Sequence, residues 1–493
     1  MLFRSVARWE KATNFFFDTG VEGIIVPSFT EIAGLDIVLP VPLREGYHFD
    51  GWYTGSGATL KRCMLSKAPA TDVSLSARWV MATKLPALCI TLQQDDGTPV
   101  ALSSVGLTYY VKSVISVGGE GGINAATAEF KGRGNGSWGN PKSPYRIKFE
   151  KKQSLFGWLK TKHYTLISSA HNHPDPSMTV ADSAFSLARE VFTGLEYAPR
   201  TQPVDVYVNG AYHGVYILSD KVRVEEGKVD IISEHGVDDT GYLLLYANTS
   251  HGAETPSFAR IYTGIMRSPA GVNGSSQVAN ELKINSPDPD DVADPLMPEV
   301  TQTGYVRQVT FLRGKVQSLT AAMTSLNFTQ FSNLADIASF VDGYIMQEFY
   351  RNTDVGEGGY YLYKKASSEG GKFYAGPPWD FDMTCAGGGE TGIGIGNGQH
   401  QANPFITYLY AMPEFKVLVK ARWKEVSPAV KEFLTERFDG YMNNAGYQAA
   451  FARNGVRWSG KEQAAAEEDW LREAAKKKKW LLDRAAWLDS EWA

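Results

Sequence analysis

Nowhere in the 493-residue chain do the roughly 18 consecutive apolar residues of a membrane-spanning helix occur. Cysteine is scarce: Cys63, Cys89 and Cys385 are scattered, odd in number, and without CxxC or Cys/His ligand spacing. That excludes a disulfide framework and a structural zinc site as organising principles. Basic charge is not in excess, because 49 Lys and Arg face 54 Asp and Glu for a net charge of −5. Nothing in that balance marks a nucleic-acid binder. The opening MLFRSVARWEK has no apolar core of the kind an export signal carries. No glycine loop is followed by GKS or GKT, so no Walker-type phosphate loop is present. No G-x-S-x-G elbow is present either, which removes support for acyl transfer.

What is present is core-forming material. Hydrophobic residues make up 43% of the chain and charged residues 21%, the proportions of a folded globular protein. The length suits about three domains, or one large two-lobed domain with a small one attached. The N-terminal segment carries an internal echo. SVARWEK opens the chain and SLSARWVMATK follows about one repeat later, with Trp9 and Trp79 in equivalent positions. Between them, alternating Leu35, Ile37 and Leu39 with Gly and Pro punctuation predict short antiparallel strands. Residues 1–9 read as the tail of an earlier repeat and residues 10–80 as one full copy. The GYHFDGWY core (Gly46, Tyr47, Phe49, Gly51, Trp52, Tyr53) and the closing ARW resemble the Listeria–Bacteroides, or InlB B-type, repeat of bacterial surface proteins. That resemblance implies an extracellular or cell-surface location. It also implies a natural protein extending upstream, where the export signal would lie.

From about residue 85 the composition shifts to an α+β pattern. KGRGNGSWGNPKSPYRIKFEKK reads as a Gly-rich loop and a strand, with Tyr145, Ile147 and Phe149 on one face and Arg146 and Lys148 on the other. Residues 177–192 read as a helix with Ser177 a candidate cap. Asn209-Gly210 is a strong hairpin signal between two strands. After an irregular stretch at 250–300 the chain turns helical. Val309, Leu312, Val316, Leu319 and Met323 recur at helical spacing, as do Ile337, Phe340, Val341, Tyr344 and Ile345. The C-terminal helix is expected to pack through Trp470, Leu471, Leu481 and Leu488, with the Lys476–Lys479 run as a solvated face.

Chemistry concentrates in EFYRNTDVGEGGYYLYKKASSEGGKFYAGPPWDFDMT. A helix should end near Tyr350, with Asn352-Thr353-Asp354 as the following loop. Tyr360–Lys364 and Lys372–Ala375 read as a hairpin running directly into WDFD. A hairpin's open ends lie close, since paired strands are about 4.8 Å apart. Asp354 should therefore neighbour Asp380 or Asp382. Gathered carboxylates need a neutralising cation, and hard oxygen ligands suit Mg²⁺ or Mn²⁺. Helix, loop aspartate, hairpin and metal aspartate is also the order of parts in a protein-kinase site. Gly132, Gly134 and Gly136 would let backbone approach phosphate, with Lys142 or Lys148 to neutralise it.

KGRGNGSW, PKSPYRIKFEKKQSLFG, VDVYVNGAYHGVYILSDKV, GYLLLY, LKINSPDPDD, the N-x-D loop, GKFYAGPPWDFD and PEFKVLVKARW run in order over roughly residues 85–490. Together they resemble the CotH (spore coat protein H) kinase family. The resemblance implies an α+β, atypical two-lobed protein-kinase-like domain over 85–493, with a mostly strand lobe at 85–250 and a mostly helical lobe at 300–493. It implies ATP with Mg²⁺ or Mn²⁺, and transfer to Ser or Thr of a secreted or surface protein. Carried onto this sequence, Asp354 is the catalytic aspartate and Asp380 the metal ligand, with Asp382 beside it. Lys148 is the candidate phosphate lysine and Lys142 the runner-up. Arg133, Gly134 and Asn135 belong to the Gly-rich loop, and Asn352 to the nucleotide site. Two departures bear on activity. MTVADSAF replaces an expected Arg-Asn pair, leaving Asp182 or Glu190 as lysine-pairing acid, and VGEGG follows Asp354 without the usual Asn, so that either Glu357 substitutes or the second metal is missing. A catalytically inactive kinase-like surface-binding module is the alternative. A glycoside hydrolase using Asp354 with Asp380 or Asp382 is a weaker one, since sugar hydrolysis needs no phosphate cradle.

Overall fold

The computed structural model describes residues 10–134, 136–169, 175–248, 257–263, 280–294, 297–353, 355–356, 358–385, 390–392 and 403–493. It divides into two compact units, Met1–Ser168 with Pro203–Leu218 and Ala449–Gln463, and Ser169–Gln202 with Ser219–Gln448 and Ala464–Ala493.

The first unit opens with a five-stranded sheet of β1 (Ala12–Asp18), β2 (Phe29–Ile32), β3 (Tyr47–Thr54), β4 (Lys61–Arg62) and β5 (Val73–Met81), in the order β2-β1-β5-β3-β4. Its own small core holds Phe15, Trp52, Val73 and Leu75, with Phe17, Phe29 and Phe49 packed against them. The indole N–H of Trp52 donates to the Pro40 carbonyl at 2.7 Å, and that of Trp79 to Thr19 at 2.8 Å. Both tryptophans thus hold the connections between strands of their own sheet. Beneath β3 the Asp50 carboxylate is fully buried and accepts from Arg62 at 3.1 Å and from Arg78. Arg78 reaches on to the Thr91 hydroxyl at 3.1 Å, and Tyr53 meets the same hydroxyl at 3.0 Å. The connection after β5 is also bound: Tyr207 donates to the Met81 carbonyl, and Thr83 to Asp205.

Thr91 lies on the first strand of a closed barrel. Its strands are β6 (Ala87–Leu92), β7 (Val111–Val117), β8 (Ile123–Gly132), β9 (Tyr145–Gln153), β10 (Thr161–Ile167), β11 (Thr201–Val208) and β12 (Ala211–Asp220), in the order β10-β12-β11-β6-β7-β8-β9. The period-two pattern of β9 is realised: Tyr145, Ile147 and Phe149 fill the interior beside Phe130, Tyr164 and Leu166. Closure leaves no exposed strand edge. Asn209 (φ 51°) and Gly210 (φ 82°) form the two-residue turn between β11 and β12, and the Asn209 amide group also braces Leu92 and Val100.

In the second unit the apolar face of α1 (Val180–Glu190) is buried throughout. Ser177 is not its direct cap. Asp175 accepts from the Val180 amide at 2.8 Å, and Ser177 donates to Asp175. A second five-stranded sheet comprises β13 (Tyr242–Asn248), β14 (Arg260–Tyr262), β15 (Asn280–Ser286), β16 (Tyr360–Lys364) and β17 (Phe373–Ala375). The helices are α2 (Gln302–Thr324), α3 (Phe328–Leu334), α4 (Ile337–Tyr350), α5 (Pro404–Ala411), α6 (Pro413–Met442), α7 (Ala445–Ser459), most of which belongs to the first unit, and α8 (Gln463–Glu491). The heptad-like apolar row of α2 is buried, as is that of α4 from Phe340 to Tyr350. None of the described helices is long and apolar enough to cross a membrane.

Removing the carboxylate shared by Arg62 and Arg78 would leave the buried Arg62 and the half-buried Arg78 without their acidic partner. Asp50→Ala should lower the unfolding free energy by about 3–5 kcal/mol, read as a drop in urea midpoint at unchanged slope.

Candidate active site

Two loops meet where α4 ends. Arg351 takes the left-handed conformation (φ 51°), closing the helix with its amide shared between Gln347 and Glu348 carbonyls. The chain then turns so that Asn352, itself buried, donates its side-chain amide to the Asp380 main-chain carbonyl at 3.1 Å. Thr353 holds the Met383 carbonyl through its hydroxyl at 2.8 Å and its amide at 3.3 Å. Cys385 returns an amide to the Tyr350 carbonyl at 3.0 Å. The N-x-D loop and the WDFD segment are thus laced together along their backbones.

The hairpin does what its sequence predicts. β16 and β17 pair antiparallel with Leu362 opposite Ala375, and the residues just outside the two ends touch. Gly359 has φ +75°, and a Cβ built on it would lie 2.6 Å from Asp380 Cβ and 3.0 Å from its Oδ2. Only glycine fits there, on conformational and steric grounds alike. Asp380 also has a positive φ, 63°. Its neighbours hold it there: Phe381 is buried edge-on to Tyr350 and Phe185, and Trp379 stacks on Phe185 at 5.8 Å. Asp380 and Asp382 are both half-buried. Asp354, Asn135 and Glu357 lie outside the described residues. Their described neighbours Thr353 and Val355 are placed, with the Val355 carbonyl accepting from Asn403 at 2.9 Å.

This order of parts has a counterpart among known proteins. The chain matches the family model described as CotH kinase protein over residues 130–488. It belongs to the CotH kinase family. No curated protein matches it. The match covers the Gly-rich loop, both lysine candidates, the two laced loops and nearly all of α8 of this CotH kinase chain.

The two lysines differ sharply in setting. Lys148 points away from the barrel interior, is 42% exposed, and pairs with Glu129 across the β8–β9 ladder at 2.9 Å. Sequence reasoning missed Glu129, although a residue directly opposite in a neighbouring strand is the natural partner. Asp182, by contrast, accepts from Arg437 at 2.9 Å and from Thr201 and Tyr441, while Glu190 is exposed. Lys142 is buried. Its amine donates to the Val215 carbonyl and, at 3.0 Å, to Asn454, beneath the Tyr216 ring. In the Gly-rich loop, Gly132 is pressed on Trp138, Gly134 has φ +89°, and the Arg133 amide donates to the Pro144 carbonyl at 3.1 Å.

Burial pushes the Lys142 amine down from 10.5 to about 7. Above that pH the unfolded chain binds a proton that the folded chain has shed, so stability rises with pH until the unfolded lysine also titrates. Lys142→Met removes this term. From about pH 7 to pH 9 the unmodified chain should gain on the order of 1 kcal/mol per pH unit over the variant, measured by denaturant unfolding.

Proposed function

We propose that the chain is an active protein kinase of the bacterial surface or envelope, transferring the γ-phosphoryl group of ATP to a Ser or Thr hydroxyl of a secreted or surface protein. The observation that carries this reading is the lacing of Asn352 and Thr353 onto the backbone of Asp380 and Met383. It fixes the loop leading to Asp354 beside the WDFD carboxylates, as phosphoryl transfer between a proton acceptor and a metal site requires.

Asp380 and Asp382 are suited to hold Mg²⁺ or Mn²⁺. Both are half-buried hard-oxygen donors, and Gly359 leaves room for the Asp380 carboxylate. Among the described residues no three His, Cys, Asp or Glu side chains cluster for a metal. That suits Mg²⁺, which commonly takes one or two carboxylates and fills its shell with phosphate oxygens and water. The bound ion would neutralise charge on the phosphates. Asp354 would take the proton from the acceptor hydroxyl as its oxygen bonds to the γ-phosphorus and ADP leaves. Lys148 is the better phosphate lysine, because its amine is accessible and poised by Glu129, whereas that of Lys142 is enclosed. Arg133, Gly134, Asn135 and Asn352 complete the nucleotide side. The N-terminal sheet is read as an InlB B-type repeat that displays the kinase outside the cell.

Calorimetric titration with ATP and Mn²⁺, followed by single-turnover assays on a model acceptor protein, tests the assignment. Asp380→Ala should abolish metal-dependent binding. Asp354→Ala should keep binding and lose turnover by at least about a hundredfold. Lys148→Met should weaken ATP binding about tenfold or more. An unmodified chain that binds no ATP with either metal would leave the inactive surface-binding module as the reading.

A further inference from the structure

We propose that the C-terminal helix α8 is a working part of the transfer site, with Arg484 and Lys477 as positioning residues that hold the two laced loops in register. This rests on the kinase reading above. The two residues are seven apart, hence two helical turns along one face. Both enter the protein interior, Arg484 fully and Lys477 at 8% exposure.

Their partners are almost all main-chain oxygens. Lys477 donates to the Cys385 carbonyl at 3.0 Å, three residues beyond Asp382. Arg484 spreads its fork over three carbonyls: Glu348 at 3.0 Å, Glu390 at 2.9 Å and Gly392 at 2.7 Å. Among the described residues its carboxylate partner is Glu348, also fully buried, at 2.6 Å. Glu348 lies in the last turn of α4, just before the loop of Asn352. One helix therefore grips the exit of α4, the end of the WDFD loop and the chain beyond it.

Stability alone does not account for this. Taking cations out of water is costly, and well-packed apolar side chains in their place would often stabilise as much or more. What a buried guanidinium adds is geometry, since its planar fork fixes several acceptors at set angles. Arg351 assists from the other side, donating to the Thr391 carbonyl at 2.9 Å. The helix itself is moored elsewhere. Asp489 accepts from Trp423 at 3.0 Å and Lys431 at 2.7 Å, Lys478 pairs with Asp439, and Trp470 donates to the Ser177 carbonyl. Lys477 and Arg484 can therefore be altered without undocking it.

The test uses the full chain with Lys477→Met and Arg484→Lys. Melting temperature, amide hydrogen exchange in peptides containing Asn352, Thr353 and Cys385, Mn²⁺-dependent ATP binding and turnover are compared with the unmodified protein. Lys477→Met should melt within a few degrees of the parent. It should exchange at the three amides about tenfold faster and lose kcat about tenfold, with a smaller change in KM for ATP. Arg484→Lys, which keeps the charge and loses the fork, should show the larger loss of kcat. Should it fail to fold, Lys477→Met carries the test alone. Unchanged exchange in the folded variants overturns the proposal. So does faster exchange with kcat and metal binding intact, because the contacts would then serve stability only. If the unmodified chain binds no ATP, the kinase reading fails by itself. Exchange at the three amides then decides alone whether α8 holds the loops.

Discussion

Helix α4 ends inside the protein, and its last carbonyls must be satisfied there without bulk water. A helix leaves its final four carbonyls without partners, and burial makes each omission expensive. Here the Gln347 carbonyl accepts from Asn352, and Glu348 from Arg351 and Arg484. Tyr350 accepts from Cys385. Together these bonds draw on three stretches of chain. The requirement to finish one helix is thus what gathers the N-x-D loop, the WDFD loop and α8 at a single place. The left-handed residue at Arg351 turns the chain back toward that place rather than away from it.

The same logic governs the charges. In the first unit Asp50 is buried between Arg62 and Arg78, and the network continues through Thr91 into the barrel. A carboxylate with two guanidinium partners tolerates few alternative arrangements, so it fixes how β3, β4, β5 and β6 sit together. In the second unit the Glu348–Arg484 pair plays the corresponding part. Neither pair is needed to bury more apolar surface. Each selects one geometry among several that would bury the same area.

Much of this was legible in the sequence, and the remainder was illegible for identifiable reasons. Period-two and helical spacing located β9, α2 and α4 with their buried faces, and Asn209-Gly210 located a hairpin. The hairpin argument brought the WDFD segment back to the start of β16, where Gly359 meets Asp380. The sequence did not reveal that Lys148 pairs with Glu129, because strand register is a long-range property. Nor did it reveal Asp175 as the α1 cap, since the aspartate sits well ahead of the helix. The lysine run at Lys476–Lys479 is only partly a solvated face. Four consecutive helical residues sweep most of the way round the axis, so one of them must turn inward, and Lys477 does.

That inward lysine and the buried Lys142 illustrate one rule about what an amine can do. Lys142 gives its hydrogen bonds to Val215 and Asn454 within its own unit, and Lys477 gives one to Cys385. An amine enclosed by carbonyls has little left to offer a phosphate, whatever motif surrounds it. Lys148 keeps access to solvent and is held by the Glu129 carboxylate, with the Tyr110 ring 5.6 Å from its amine. The difference between the enclosed lysines and the accessible one is therefore set by the number of fixed acceptors around each. Position in the Gly-rich segment does not set it. By that measure the segment contributes one structural lysine, which pins the loop down, and the strand that follows carries one whose amine stays accessible.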